Sequence, residues 1–259
     1  MIKKITKLCL AGTLALGTVG TAFAEDDMAT SPFAAENFSA TLTMTSNYMF
    51  RGLSFTDDQP ALQGSFDWGY GNFFAGVWGS SIHDLDGASG YELETDWYAG
   101  YANSIAGIDW FVMPIYYHFS DYDKSQYGVD ADVFEVWLDA SYAINDTYSV
   151  HGMYAYSPDF SFESDTAHYV RGDVTANLPA GFSLTAGVGY QDVDGGTTYP
   201  GGFDYTHWDI SLAKSVAGFD LSLMYSDTNI DNSDDIITKE YTATEQADDT
   251  VTFTVSRSF

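Results

Sequence analysis

Residues 250–259 read Thr-Val-Thr-Phe-Thr-Val-Ser-Arg-Ser-Phe, and the fold turns on how they are read. Val251, Phe253, Val255 and Phe259 share one parity, while Thr250, Thr252, Thr254, Ser256 and Ser258 take the other. A period of two with one apolar side describes a strand standing between oil and water. A last strand of this kind, ending on Phe, suits an outer-membrane barrel. Its terminal strand must pair with the first, because an open edge in lipid leaves backbone groups without partners.

The other end of the sequence agrees. Lys3, Lys4 and Lys7 precede an apolar run, Leu8 to Val19, that leads into Ala22-Phe23-Ala24. These are the three parts of a secretory signal, and cleavage is expected after Ala24. The run is too short to span a bilayer as a helix. The expected layout is a signal peptide at 1–24, a short periplasmic segment at 25–37 and a transmembrane β-barrel at 38–259. The one cysteine, Cys9, falls in the signal, so the mature chain needs no disulfide. The longest later apolar run, Trp110 to Tyr117, is strand-sized and contains Pro114. A membrane role therefore has to come from a barrel.

Lys and Arg number 9 against 37 Asp and Glu, a net charge of −28. That field disfavours nucleic acid and other anionic partners. Aromatic residues make up 17% of the chain, too many for an acidic disordered one. Turn signals come at even spacing without a linker between them, which indicates one domain.

The alternation recurs along the chain. Phe38, Ala40, Leu42, Met44, Tyr48 and Phe50 form one face of a first strand that ends at Arg51-Gly52. Phe134, Val136, Leu138, Ala140 and Tyr142 repeat the pattern, as do Phe182, Leu184, Ala186, Val188 and Tyr190. Residues 73–82 and 108–119 are apolar on both parities and cannot be oriented. The pattern predicts an antiparallel up-and-down barrel of about twelve strands, each about ten residues long. Short turns near Gly69, Ser104, Asn145, Pro179 and Ala217 alternate with longer loops near Asp57, Asp86, Asp123, Asp159, Gly195 and Asp234. Outer-membrane barrels show this asymmetry of short periplasmic turns and long outer loops. Aromatics at both ends of the apolar faces match two interfacial girdles, which a soluble sandwich or lipocalin-like barrel does not need.

Ser46-Asn47-Tyr48-Met49-Phe50-Arg51-Gly52-Leu53-Ser54, then Gln59-Pro60-Ala61-Leu62-Gln63-Gly64 and Phe74-Ala75-Gly76-Val77-Trp78-Gly79-Ser80, resemble the TorF family. These are outer-membrane proteins of Gram-negative bacteria regarded as porins. The motifs cover residues 46–80; beyond them the similarity is one of strand pattern and a terminal Ser-Phe. The resemblance implies an outer-membrane barrel with a pore and names no solute.

If the apolar faces meet lipid, the opposite faces line a lumen. The channel-lining residues expected there are Arg51, Asp67, Glu92, Glu94, Asp96, Glu135, Asp139, Arg171, Asp173 and Asp209. Eight carboxylates against two guanidinium groups favour cationic or neutral small solutes, with Arg51 and Arg171 facing the acidic wall as a constriction. The bland alternative is that the charges pair and plug the barrel. Expected partners are outer-membrane lipid, lipopolysaccharide and the barrel-assembly machinery, which would read the C-terminal strand. Acidic loops at 192–196 and 231–235 could hold divalent cations, although neither has full EF-hand spacing. No cofactor is expected. Candidates for lipid hydrolysis are His207, Asp209 and Ser211, and Ser149 with His151. Residues two apart on one strand do not bring a nucleophile against its base, and G-x-S-x-G is missing. A structural or adhesive barrel with a plugged lumen is a further alternative.

Overall fold

The computed structural model describes residues 31–83, 92–120, 122, 124–196, 202–230 and 244–259. The expected signal peptide, the loop at Asp84 to Gly87 and the acidic stretch at 231–235 lie outside the described residues. Among the described residues are fourteen strands: β1 (Phe38–Thr45), β2 (Met49–Phe50), β3 (Leu53–Ser54), β4 (Ala61–Tyr70), β5 (Phe73–Ser81), β6 (Leu93–Ile105), β7 (Ile108–Phe119), β8 (Val133–Ala143), β9 (Tyr148–Ser157), β10 (Ala167–Leu178), β11 (Phe182–Val193), β12 (Phe203–Val216), β13 (Phe219–Thr228) and β14 (Thr250–Ser258). Twelve of them form a closed antiparallel barrel, and β2 and β3 pair only with each other. The seam is β1 against β14, with Thr41 opposite Ser258 and Thr45 opposite Thr254. Closure leaves none of the twelve wall strands with an unpaired edge, as lipid requires.

Two of the short connections are two-residue turns with positive φ at both positions, Ala106-Gly107 and Ala217-Gly218. This type I′ geometry follows the right-handed twist of the strands it joins. The outer wall carries the apolar parity: Leu42, Met44, Leu138, Val174, Val188 and Phe253 are all exposed. A guanidinium placed mid-wall by Leu138→Arg is expected to cost about 2–4 kcal/mol in lipid vesicles, read as a lower urea midpoint for unfolding.

The two strands that resisted orientation are now placed. On β7, Met113, Ile115 and Tyr117 point inward and are buried, while Val112 and Tyr116 are exposed on the outside. On β5, Phe74 and Trp78 point inward and Phe73 outward. Both faces are apolar because the inner one packs against an aromatic cluster inside the barrel. Pro114 interrupts the β6–β7 ladder, where pairing runs from Tyr98–Ile115 to Tyr101–Val112 with no pair between. Proline has no N–H to give a sheet partner.

The first strand needs a correction. It ends at Thr45, so Tyr48 and Phe50 do not continue its lipid-facing side. The chain turns into the barrel at Ser46, and both rings are buried there.

Candidate functional site: a hairpin inside the barrel

Residues 46–58 enter the lumen as a small hairpin. Ser46 fixes the point of entry by exchanging bonds with the terminal strand: its N–H donates to the Phe253 carbonyl at 2.9 Å, and its Oγ accepts from the Phe253 N–H at 2.9 Å. Asn47 holds the base together. Its Oδ1 accepts from Ser54 Oγ (2.7 Å) and Thr56 Oγ1 (3.0 Å), and its Nδ2 donates to Asp58 Oδ1 (2.5 Å). The Phe55 N–H donates to the Tyr48 carbonyl at 2.7 Å. The tip is Arg51-Gly52, with φ of 51° and 85°, the same positive-φ pair seen in the barrel's own tight turns.

Its side chains reach nearly the whole circumference. Tyr48 packs on Trp78 of β5 at 5.4 Å and reaches Glu94 of β6. Phe50 meets Tyr117 of β7 at 6.1 Å. Arg51 donates twice to Glu135 of β8, Nη1 to Oε1 at 3.0 Å and Nη2 to Oε2 at 2.6 Å, and once to Gln191 of β11 at 2.7 Å. The guanidinium also lies 4.2 Å from the centre of the Tyr169 ring on β10. Gly52 lies against β12 and β13: a Cβ there would stand 2.6 Å from His207 Cβ and 2.9 Å from Thr228 Cγ2. Above it, Ala247 of the last connection packs with Leu53 and Tyr205. Thr228 Oγ1 donates to the Ala247 carbonyl at 3.0 Å.

Arg51 is 2% exposed and Glu135 1%. Such a pair is stable only when its remaining hydrogen-bonding positions are filled. They are: Tyr117 OH and Trp137 Nε1 also donate to Glu135 Oε2, at 3.0 and 2.7 Å. A second network runs along the wall. Arg171 donates to Asp209 at 2.6 and 3.0 Å and to both oxygens of Asp173. His151 Nδ1 donates to Asp173 at 2.7 Å and Nε2 to Asp139 at 2.6 Å, since carboxylates only accept. Gly187 and Gly189 give these groups room. Gly189→Ala would put a carbon 2.3 Å from His207 Nε2 and 2.6 Å from Tyr169 OH. Overpacking of this kind is expected to cost about 1–3 kcal/mol, checked by urea unfolding of the refolded barrel.

The residues named from sequence fall into three places. Arg51, Glu135, Asp139, Arg171, Asp173 and Asp209 are buried inside the barrel and joined in the two networks above. The two arginines therefore do not stand free as a constriction facing bare acids. Asp67 is half-buried towards the short β4–β5 turn, taking bonds from Ser65 and Tyr98. Glu94 and Asp96 are buried next to the hairpin, and Glu92 is exposed at the rim. The hydrolase candidates are not assembled: His207 Nε2 meets Tyr169 OH at 2.9 Å, and among the described residues no serine hydroxyl is hydrogen-bonded to a histidine. Sequence reading missed the hairpin. The signal for it was Arg51-Gly52 between the short pairs Met49-Phe50 and Leu53-Ser54, an X-Gly tip like Ala106-Gly107 and Ala217-Gly218. On the outside, the loops are tied by Lys124, which donates to Glu163 at 2.6 Å and to Asp130 at 3.4 Å. The Glu163 bond raises the Lys124 pKa.

The architecture is the fold of small outer-membrane porins. The KdgM porin, solved in complex with disordered oligogalacturonate, superposes with a TM-score of 0.52 at 9% identity, over 86% of this chain and 97% of that one. The NanC porin superposes with a TM-score of 0.50 at 10% identity, over 85% and 97%. Residues 26–259 match the Gcw_chp family, described as bacterial proteins of unknown function, and the chain belongs to it. No curated protein matches it in sequence.

Proposed function

We propose that this protein is an outer-membrane channel for small solutes, closed at rest by the hairpin at 46–58. Its acidic interior gives cationic and neutral solutes the advantage over anions. The observation that carries this reading is a closed barrel, apolar outside and ionisable inside, whose lumen is crossed by one short hairpin centred on one guanidinium. Eight-stranded barrels are filled by side chains and sixteen-stranded ones leave an aqueous channel. Twelve strands lie between, and here a hairpin takes up the difference. The porin fold of the superposed structures and the TorF-like motifs support the same reading. Asp67, Glu94, Asp96, Glu135, Asp139, Asp173 and Asp209 would then form the acidic wall, with Arg51 and Arg171 as its fixed cations and Glu92 at its mouth. The terminal strand, already paired across the seam, would be the segment the assembly machinery reads, and lipopolysaccharide would surround the outer rim.

The test is the reversal potential of the reconstituted barrel across a KCl gradient, with the hairpin released by Arg51→Ala. A potential of the sign for K⁺ permeation is expected; a Cl⁻-selective current contradicts the acidic-wall reading. A second reading, a permanently plugged structural or adhesive barrel, is favoured by the ring of contacts around the hairpin. It predicts that hairpin-released variants still pass no current.

A further inference from the structure

Most buried carboxylates inside this barrel have donors. Glu135 has Arg51, Tyr117 and Trp137; Asp139, Asp173 and Asp209 share Arg171 and His151. Glu94 and Asp96 differ. They stand two apart on β6, face the interior together, and are 1% and 0% exposed. Glu94 Oε1 receives one long bond, from Tyr48 OH at 3.4 Å. Glu94 Oε2 and both oxygens of Asp96 receive no bond from a donor group, and the two carboxyl groups lie within hydrogen-bonding reach of each other. Neither residue forms an ion pair among the described residues, because the nearby guanidinium is held by Glu135 and Gln191. Directly across the ladder from Asp96, the buried Trp78 Nε1 is also without an acceptor.

Buried polar atoms are nearly always satisfied, and buried charge is paired or bound to a metal. Two facing carboxyl groups with three oxygens that no donor reaches need either a shared proton or a cation between them. On the Glu94 side of the pair is space, which Asp96 itself does not line. Glu94 lines a chamber of about 40 Å³, together with Phe50, Tyr117 and Gln191. That is room for about two or three waters.

We propose that Glu94 and Asp96 hold a hard divalent cation, Ca²⁺ or Mg²⁺. Glu94 Oε2 and the two Asp96 oxygens are its protein ligands, and waters in the chamber fill part of its shell. The donor set is all oxygen, which selects hard ions over those that prefer nitrogen or sulfur. Two carboxylates match a charge of two, whereas a monovalent ion would leave one negative charge buried. Because Tyr48 reaches Glu94, the ion would also fasten the hairpin to β6. The site needs the closed barrel with its docked hairpin and does not depend on solute passage.

The experiment compares thermal unfolding of the refolded full-length barrel in EDTA and in CaCl₂ or MgCl₂, at constant ionic strength. The unfolding midpoint of the wild-type protein is expected to rise with the divalent ion. The rise should vanish in Glu94→Gln/Asp96→Asn and persist in Asp192→Asn/Asp194→Asn, which removes acids of the outer rim. An equal rise in the Glu94→Gln/Asp96→Asn variant, or no rise in the wild type, overturns the proposal; the latter result means that the pair shares a proton instead. Should the double variant fail to fold, Tb³⁺ replaces Ca²⁺ as the probe in wild type and Trp78→Phe. Tryptophan-sensitised emission that Ca²⁺ competes away, and that falls several-fold in Trp78→Phe, supports the site. Emission unchanged by Trp78→Phe overturns it.

Discussion

Replacing residues 47–58 by a short Gly-Ser turn opens the barrel. In planar bilayers the shortened protein should show steady steps of current about tenfold or more above the wild-type resting level, as expected when a constriction becomes a wet pore. The deleted segment accounts for the contacts that cross the lumen, from Tyr48 on Trp78 to Gly52 on His207. The seam survives the deletion, because Ser46 and its two bonds to Phe253 are kept. The wall beneath is left with Glu94, Asp96 and Glu135 facing water, so the released current should favour cations. Continued silence in the deleted barrel would mean that wall side chains alone fill the cross-section, as they do in eight-stranded barrels.

Arg51→Met should be the most destabilising single change in the interior, at about 3–5 kcal/mol. It leaves the Glu135 carboxylate buried at 1% exposure with only the neutral donors Tyr117 and Trp137. It also removes the bond to Gln191 and the stacking on Tyr169. The cost arises from the stranded charge more than from the lost attraction, so Arg51→Met/Glu135→Leu should recover most of it. Urea unfolding of the four members of this double-mutant cycle in lipid vesicles gives both numbers. A single-variant cost below about 1 kcal/mol would place the pair in contact with water. A double variant no more stable than Arg51→Met would show that the hairpin depends on the ion pair for more than charge balance.

The barrel was legible in the sequence because the constraint that makes it is local and repeated. Each strand must show lipid one side, so Phe182-Leu184-Ala186-Val188-Tyr190 declares its parity without knowledge of its neighbours. The X-Gly and Pro-Ala-Gly turns mark where β6, β10 and β12 reverse. What lies inside was not legible by the same means. Parity tells inside from outside only while the chain stays in the wall. Tyr48 and Phe50 keep the step of two past Thr45, yet Ser46 and Asn47 have already bent the chain inward. The same hairpin explains why residues 73–82 and 108–119 were unreadable. Phe74, Trp78, Met113 and Tyr117 are apolar on the inner side because they meet the hairpin's cluster of rings and not water. The charged residues were readable as inward-facing but not as partners. Pairing Arg51 with Glu135 depends on where a hairpin tip lands across the barrel, 84 positions along the chain.

The docking of that hairpin is tested most directly by hydrogen exchange of the intact barrel in lipid nanodiscs. The amides of Tyr48 and Phe55 donate to Thr56 Oγ1 at 3.0 Å and to the Tyr48 carbonyl at 2.7 Å, deep inside the wall. They should exchange as slowly as the ladder amides of β1, since opening them requires the hairpin to leave the lumen. Exchange at the rate of a free surface loop would mean that residues 46–58 do not occupy the barrel, and the closed interior described above would be wrong.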